Sequence, residues 1–173
     1  MNGEQKIKKA YESILNSDFE QAIMWFEEAI EQEPNNAIYH YKLSITFARS
    51  NKLNKALEHA EKASLLDGNN EEYLFHYENL KAKELIKNAE AYFDQEDDQL
   101  HLAIILLKEA TILDPLSVEA WLLMGIAYAQ LEEYSQAIQT LKEVLILDPN
   151  HEIAKELLKQ YKMMFKIYLQ SYK

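Results

Sequence analysis

Residues 118–151, VEAWLLMGIAYAQLEEYSQAIQTLKEVLILDPNH, decide the fold of this chain. Apolar residues recur three and four positions apart in each half of the stretch, which places one apolar stripe on each of two helices. Gly125 and Ala137 are small, so the two helices can approach closely there, and we expect these residues to face each other. Asp148 and Pro149 end the second helix because proline cannot continue it and restricts the residue before it. The stretch therefore predicts a helix–turn–helix unit of 34 residues.

The same register recurs in residues 3–36, 37–70 and 84–117. Small residues occupy the eighth and twentieth positions of every unit: Ala10 and Ala22, Ser44 and Ala56, Ala91 and Ala103, Gly125 and Ala137. The first helix of the first unit departs from the pattern at Lys6, Lys9 and Ser13, as terminal repeats do because one side lacks a neighbour. Asp94 is a departure in the third unit. Four units in one register indicate a repeat protein.

These residues resemble the tetratricopeptide repeat. Trp121, Met124-Gly125, Tyr128, Ala137, Leu141, Val144 and Pro149 stand where that family carries Trp, Leu-Gly, Tyr, Ala, Phe, Ala and Pro. The resemblance implies an all-α, right-handed superhelical solenoid of four helix–turn–helix units. It also implies a protein that binds other proteins and catalyses no reaction.

The array is interrupted after its second unit. Residues 71–83 contain neither Gly nor Pro, and their apolar stripe is rotated against that of the following residues. We interpret them as a helical insertion that extends the next helix, giving one long helix over roughly residues 71–95. A break near residues 81–83, giving two helices, is the alternative. The domain organisation is then units one and two at 3–70, the insertion at 71–83, units three and four at 84–151, and a C-terminal capping helix at 152–173.

Composition excludes several classes of function. The formal net charge of −11 disfavours nucleic acid and anionic membranes, both of which are bound through Lys and Arg. There are no cysteines, so disulfides and thiolate metal sites are excluded. The N-terminus has no signal-peptide pattern, and no apolar run is long enough to span a membrane. We expect a cytoplasmic protein whose partner is a protein or peptide, and no cofactor.

No catalytic or metal-binding residue is predicted. The five histidines fall in different parts of the array, and none has the two-His helical spacing of a zinc protease. Asp67, Asn69, Glu71 and Glu78 match a calcium-loop count, but Glu72 stands where that loop needs glycine. Residues 67–70 are better interpreted as a helix stop followed by an N-cap at Asn69 or Asn70.

The resemblance also implies a concave groove lined by the first helix of each unit. The candidate groove residues are Ile7, Tyr11, Ile14, Ile38, Tyr41, Lys42, Ile45, Arg49, Asn88, Tyr92, Gln95, Leu122 and Ile126. Most are apolar or aromatic, which suits a peptide or amphipathic helix with hydrophobic anchors. Ile7 and Tyr11 stand where some family members carry a Lys and Asn clamp for a carboxylate, so that clamp is absent. In the alternative, these residues pack against the chain's own C-terminal helix or N-terminal segment.

Three functional hypotheses follow. The first is an adaptor or scaffold that presents its groove to a protein segment. The second is a chaperone-like holder of a secretion substrate or another aggregation-prone client. The third is a structural subunit that forms a homodimer through its C-terminal helix, where Met163, Ile167, Leu169 and Tyr172 enlarge the apolar surface.

Overall fold

The computed structural model describes residues 1–93 and 97–171, and all the regular secondary structure in those ranges is helical. The helices are α1 (Gly3–Leu15), α2 (Phe19–Gln32), α3 (Ala37–Arg49), α4 (Leu53–Leu66), α5 (Glu71–Glu90), α6 (Asp97–Leu113), α7 (Val118–Gln130), α8 (Tyr134–Leu147) and α9 (Glu152–Ser171).

The chain divides into two compact units, Met1–Lys81 and Ala82–Lys173, and the division falls within α5. The first unit contains α1 to α4 and the first half of α5. The second contains the remainder of α5 and α6 to α9.

Short polar side chains begin most of the helices. Asn2, Asp18, Asn36 and Ser117 each accept a hydrogen bond from a backbone N–H in the first turn of the helix that follows. Asn70 does the same for α5, because its Oδ1 accepts from the backbone N–H of Glu72 and of Tyr73. The N-cap predicted at Asn69 or Asn70 is therefore Asn70. These bonds satisfy donors that the first turn of a helix leaves without partners.

Three turns within helix pairs use the same backbone conformation. Ser17, Asn51 and Glu132 have φ angles of 61°, 57° and 59°, in the left-handed region, at the same position between α1 and α2, α3 and α4, and α7 and α8. None of the three is glycine, so each turn bears the steric cost of a β-carbon there, on the order of 1 kcal/mol. In each of these pairs three residues link the two helices, and the shared turn accounts for this equal length.

The core of the first unit forms where α1 to α4 meet the first half of α5. Its buried members are Ala10, Ile23, Phe26, Leu43, Phe47, Ala56, Ala60 and Leu80. Lys6, which stands at the fourth position where the family carries Trp, is also buried. Its Nζ donates to the backbone oxygen of Glu28 at 3.1 Å and pairs with the Glu28 carboxylate at 3.0 Å. The atypical first helix thus buries the aliphatic part of Lys6, and the carboxylate of Glu28 on α2 neutralises the Lys6 charge.

A pair of histidines packs between α3 and α4. The His40 and His59 rings are stacked, with centroids 5.1 Å apart, and their Nδ1 atoms lie 2.9 Å apart. His40 Nε2 lies 3.0 Å from the Pro34 carbonyl oxygen, which can only accept, so Nε2 carries the proton. Neutral His40 then accepts at Nδ1 from His59. Burial lowers the pKa of both rings, and His40 lowers that of His59 further.

The second unit has two adjoining groups of buried side chains. One joins the second half of α5 to α6 and α7 through Leu85, Ile86, Leu107 and Met124. The other joins α7 and α8 to α9: Ala129, Tyr134, Ala137, Leu141, Val144, Ala154 and Tyr161. A β-carbon added to Gly125 would lie 3.2 Å from the Leu141 side chain and 3.6 Å from the Ala137 carbonyl oxygen. The expected facing of Gly125 and Ala137 is therefore present.

Helix α5 runs through residues 81–83 without a break. It ends at Glu90, earlier than the sequence interpretation placed it, and Asp94 and Gln95 lie outside the described residues. Tyr73 and Leu80 pack in the first unit, whereas Leu85 and Ile86 pack in the second. The two rotated stripes thus correspond to packing in two different units.

Across the described residues, no helix is both long and apolar enough to cross a bilayer. The same part of the chain contains no group of three or more His, Cys, Asp or Glu side chains placed to hold a metal ion.

Replacing Ala137 by leucine tests the close helix approach. Ala137 is fully buried opposite Gly125, so Ala137→Leu should overpack the α7–α8 contact and lower the free energy of unfolding by about 1–3 kcal/mol. Lys142→Leu, on the exposed side of the same helix, is the matched control. Urea unfolding followed by circular dichroism measures both; an unchanged midpoint for Ala137→Leu would contradict the packing.

The histidine pair predicts acid sensitivity. Both folded-state pKa values lie below the ordinary value of 6.5. As the pH falls below that value, the unfolded chain therefore binds more protons than the folded chain does. The stability contributed by the pair is complete above pH 6.5 and decreases below it, toward the folded-state pKa values. We expect the urea concentration at the unfolding midpoint to decrease when the pH is lowered from about 7.5 to about 5.5.

His59→Phe is the control for this pH dependence, because it keeps a ring over His40 but has no group to protonate. It should lose less stability over the same pH range than the unmodified chain. An equal loss in both proteins would assign the effect to other groups.

Candidate functional site

The thirteen candidate groove residues fall in two units and are described within each. Ile7, Tyr11 and Ile14 lie on α1, and Ile38, Tyr41, Lys42, Ile45 and Arg49 lie on α3, all in the first unit. Asn88, Tyr92, Leu122 and Ile126 belong to the second unit, and Gln95 lies outside the described residues.

Apolar side chains remain accessible on α1 and α3. Tyr11 is 42% exposed and Ile38 is 54% exposed. Ile7 and Ile14 are half-buried against the core of the first unit, and Ile45 is half-buried against Tyr41 and Tyr73. The Tyr11 ring meets the buried Phe26 ring edge-on, with centroids 6.0 Å apart. Each of these side chains packs on buried residues on one side and remains at least partly accessible to solvent on the other.

Tyr41 is buried, contrary to the accessible position expected from its register. Only 8% of it is exposed, because the first turns of α5 cover it. Its ring packs on Tyr73 at 4.7 Å and meets His76 edge-on at 5.2 Å, and its hydroxyl donates to Glu72 Oε1 at 2.7 Å. Burial and this carboxylate raise the pKa of Tyr41 to about 12, so the hydroxyl remains a donor. Tyr41 therefore holds α5 against α3. A substitution of Tyr41 would test this helix packing and not partner binding.

Ser44 and His76 extend the same junction. His76 Nε2 lies 2.8 Å from Ser44 Oγ, a distance that a nucleophile and its base would also show. Ser44 is fully buried, however, and its hydroxyl donates to the backbone oxygen of Ala56 at 2.6 Å. The pair is a structural link between α3, α4 and α5 without access to a substrate.

The two basic candidates lie against aromatic rings. Lys42 Nζ lies 5.1 Å from the centre of the Tyr41 ring, and the Arg49 guanidinium lies 5.1 Å from that of Phe19. Arg49 thus lies against α2, whereas Lys42 stays beside the α3–α5 junction. Such contacts stabilise the charge where it stands by about 0.5–1 kcal/mol at exposed sites.

A cleft of ≈ 660 Å³ opens beside Ile38. It is formed by the turns before α3 and α5 and is lined by Glu33, Asn36, Ile38, Asp67, Asn70 and Tyr73, among others. Two carboxylates, Glu33 and Asp67, stand next to one exposed apolar side chain. The cleft therefore favours a positively charged group beside an apolar one.

Exposed apolar side chains also lie on α5 in the first unit, and the register did not include them. Phe75 is 61% exposed and lies one turn after Glu72, the partner of Tyr41. Leu74 is also exposed. The sequence signal for these two residues was their apolar character within residues 71–83, a segment that the 34-residue register leaves out. We call Ile7, Tyr11, Ile14, Ile38, Ile45 and Phe75 the first-unit face.

The candidates of the second unit are less accessible as a group. Leu122 packs with the α8 and α9 side chains, and Tyr92 packs with the group that joins α5 to α7. Ile126 is half-buried, and Asn88 is exposed. For Leu122, the alternative of packing on the chain's own C-terminal helix is the observed arrangement.

Models of the tetratricopeptide repeat match two parts of the chain, residues 7–36 and residues 94–161. The first match ends where the first 34-residue unit ends, and the second begins within the third unit and runs through the fourth into α9.

Superkiller complex protein 3 of Mus musculus is 29% identical over 79% of this chain. The matched region is 11% of that protein, so the chain spans about a tenth of the length of this relative.

Solved structures resemble the chain along nearly its whole length. A MamA protein superimposes with a TM-score of 0.56 at 19% identity, covering 98% of this chain and 87% of MamA. YrrB, described as a tetratricopeptide-repeat protein with an unusual peptide-binding site, superimposes with a TM-score of 0.50 at 17% identity, covering 89% of this chain and 90% of YrrB. At these identities the likeness establishes the all-α solenoid fold.

Proposed function

Because the chain belongs to the tetratricopeptide-repeat family, we propose that it is a non-catalytic adaptor that binds a segment of a partner protein on its first-unit face. The segment is a peptide or an amphipathic helix with apolar anchors. Proteins of this family bind protein or peptide partners, and the first-unit face is the surface that supports this role best here.

The observation that carries the proposal is the combination of open side chains and a fixed base. Tyr11, Ile38 and Phe75 are large, apolar and more than a third exposed, while the residues beneath them are buried. Tyr41, Tyr73 and Glu72 hold α5 against α3, so the supporting helices are already ordered. A surface that is ordered before binding loses less conformational entropy when the partner arrives.

The cleft beside Ile38 supports a partner with a basic residue at one end of its bound segment. Glu33 and Asp67 line that cleft, and the chain carries a formal net charge of −11. A Lys or Arg side chain there would be attracted by both carboxylates and by the overall field.

The relatives are consistent with an interaction role. YrrB is described as having a peptide-binding site, and the mouse relative is named as a protein of the superkiller complex. We extend to this chain only the binding of protein segments. A cytoplasmic location accords with the absence of cysteine.

A holder of aggregation-prone clients is the alternative use of the same face. The open apolar side chains would then cover an unfolded segment rather than a specific motif. Bound material that loses solubility on release would favour this alternative.

We also propose that α9 forms a homodimer contact. Ile153, Met163, Ile167 and Leu169 are exposed apolar side chains of this helix. Met164, Ile167 and Tyr168 also line a cleft of ≈ 590 Å³ with Tyr134. Removing this apolar area from water would stabilise a pair of α9 helices by about 25 cal/mol per Å² before the cost of association.

Tyr11→Ser combined with Ile38→Ser tests the first-unit face. Both side chains are exposed, so the helical content should persist while partner capture from the native cell extract falls at least roughly tenfold, as loss of two apolar anchors predicts. Affinity capture with quantitative mass spectrometry measures the loss.

The matched control is Met24→Ser with Leu65→Ser, two exposed apolar residues on α2 and α4 of the same unit. The control should retain the partner. A partner bound equally by all three proteins would place the binding site elsewhere.

Met163→Glu with Ile167→Glu tests the α9 contact. We expect the unmodified chain to sediment as a concentration-dependent dimer and the variant as a monomer, because charges opposed across a twofold axis repel. Analytical ultracentrifugation distinguishes the two. A monomeric unmodified chain at all concentrations would dismiss the contact.

A further inference from the structure

The second unit contains a cleft whose counterpart in the first unit is filled by a ring of the chain itself. The helix pairs α3–α4 and α7–α8 match in length, 13 and 14 residues in each case, and share the turn with one left-handed residue. Positions can therefore be compared one to one. His40 corresponds to Trp121, Phe47 to Tyr128, and His59 to Thr140.

The ring at the fourth position is held identically in both pairs. His40 Nε2 lies 3.0 Å from the carbonyl oxygen of Pro34, and Trp121 Nε1 donates to that of Pro115 at 3.1 Å. Each proline precedes its ring by six residues. The two rings thus have the same hydrogen-bonded anchor, and what packs in the space over the face of each ring can be compared directly.

A ring occupies that space in the first unit. His59 stacks on His40 with centroids 5.1 Å apart and lies 5.6 Å from the Phe47 ring. In the second unit the corresponding residue is Thr140, whose hydroxyl turns back to the Gln136 carbonyl oxygen at 2.8 Å. What remains is a cleft of ≈ 320 Å³ lined by Trp121, Met124, Tyr128 and Thr140, with Gln136 and Gln139 among its other lining residues.

The geometry points to this aromatic cleft as a second binding site, which accepts one aromatic side chain of a partner protein in the place that His59 fills in the first unit. This site belongs to the second unit, and the proposal is independent of the function proposed for the first-unit face.

The cleft is lined by the Trp121 and Tyr128 rings and by polar side chains that include Thr111 and Glu143. The two rings favour stacking of an entering ring. The indole N–H of Trp121 is already bonded to Pro115, so Trp121 offers its ring face. Lys108 Nζ lies 5.7 Å from the centre of the Tyr128 ring and borders the cleft. The carboxamides of Gln136 and Gln139 are exposed and can bond main-chain groups that flank the entering side chain. An open cleft of this size suits a single ring-bearing side chain.

The test uses the indole N–H signals of the full chain in nitrogen-15 NMR. The sequence has two tryptophans, so Trp25 in the first unit serves as the internal reference, and a Trp25→Phe sample assigns the two signals. The probes are N-acetyl-phenylalaninamide and, as the aliphatic match, N-acetyl-leucinamide. We expect phenylalaninamide to shift the Trp121 signal saturably while Trp25 stays in place, and leucinamide to bind roughly tenfold more weakly.

Thr140→His should close the cleft with the chain's own ring and weaken phenylalaninamide binding by roughly tenfold or more. Thr140→Val, which matches threonine in shape and adds no ring, should bind within about twofold of the unmodified chain. Equal binding of the two amides, an unmoved Trp121 signal up to the solubility limit of the probe, or full binding by a folded Thr140→His chain would each overturn the proposal. The comparison of the two amides decides the matter even if Thr140→His does not fold.

Discussion

The structure depends on the close approach of paired helices at small residues. Ala10, Ala22, Ala56, Ala103 and Ala137 are all fully buried, and Gly125 has no room for a β-carbon without displacing Leu141. With small residues at the crossing, the larger apolar side chains on either side interdigitate and form the cores of both units. Ser44 adds a bond to Ala56 at one such crossing. The accessible surfaces are what remains once these contacts are made.

Positions away from the crossings are free to differ, and their differences separate one repeat from another. The fourth position holds Lys6, His40 and Trp121 in three helix pairs that otherwise share one register. Lys6 is neutralised by Glu28, His40 is covered by His59, and Trp121 is left under an open cleft. One backbone plan thus yields a partly buried ion pair, a histidine stack whose pKa values are lowered by burial, and a candidate binding pocket. Each results from one or two side chains.

The helix α5 shows how an insertion is used. Its first half covers Tyr41 and fills the end of the first unit, and its second half supplies Leu85 and Ile86 to the core of the second. Because the covering residues Glu72, Tyr73 and His76 lie in the insertion, they have no place in the repeat count. The candidate site of the first unit is accordingly bounded on one side by residues that no repeat pattern could have indicated.

The order of the helices, the crossing residues and the resemblance to the tetratricopeptide repeat followed from sequence alone, because helical periodicity and small-residue spacing are local properties of the chain. Accessibility did not, because it depends on what another helix places over each side chain. Tyr41 and Tyr11 share an apolar, aromatic character in the register, yet α5 buries the first and leaves the second open. The His40–His59 stack likewise arises from a contact between two helices, α3 and α4, and the cleft over Trp121 is lined by residues of α6, α7 and α8. Tertiary packing therefore decided which members of a correctly recognised pattern can meet a partner.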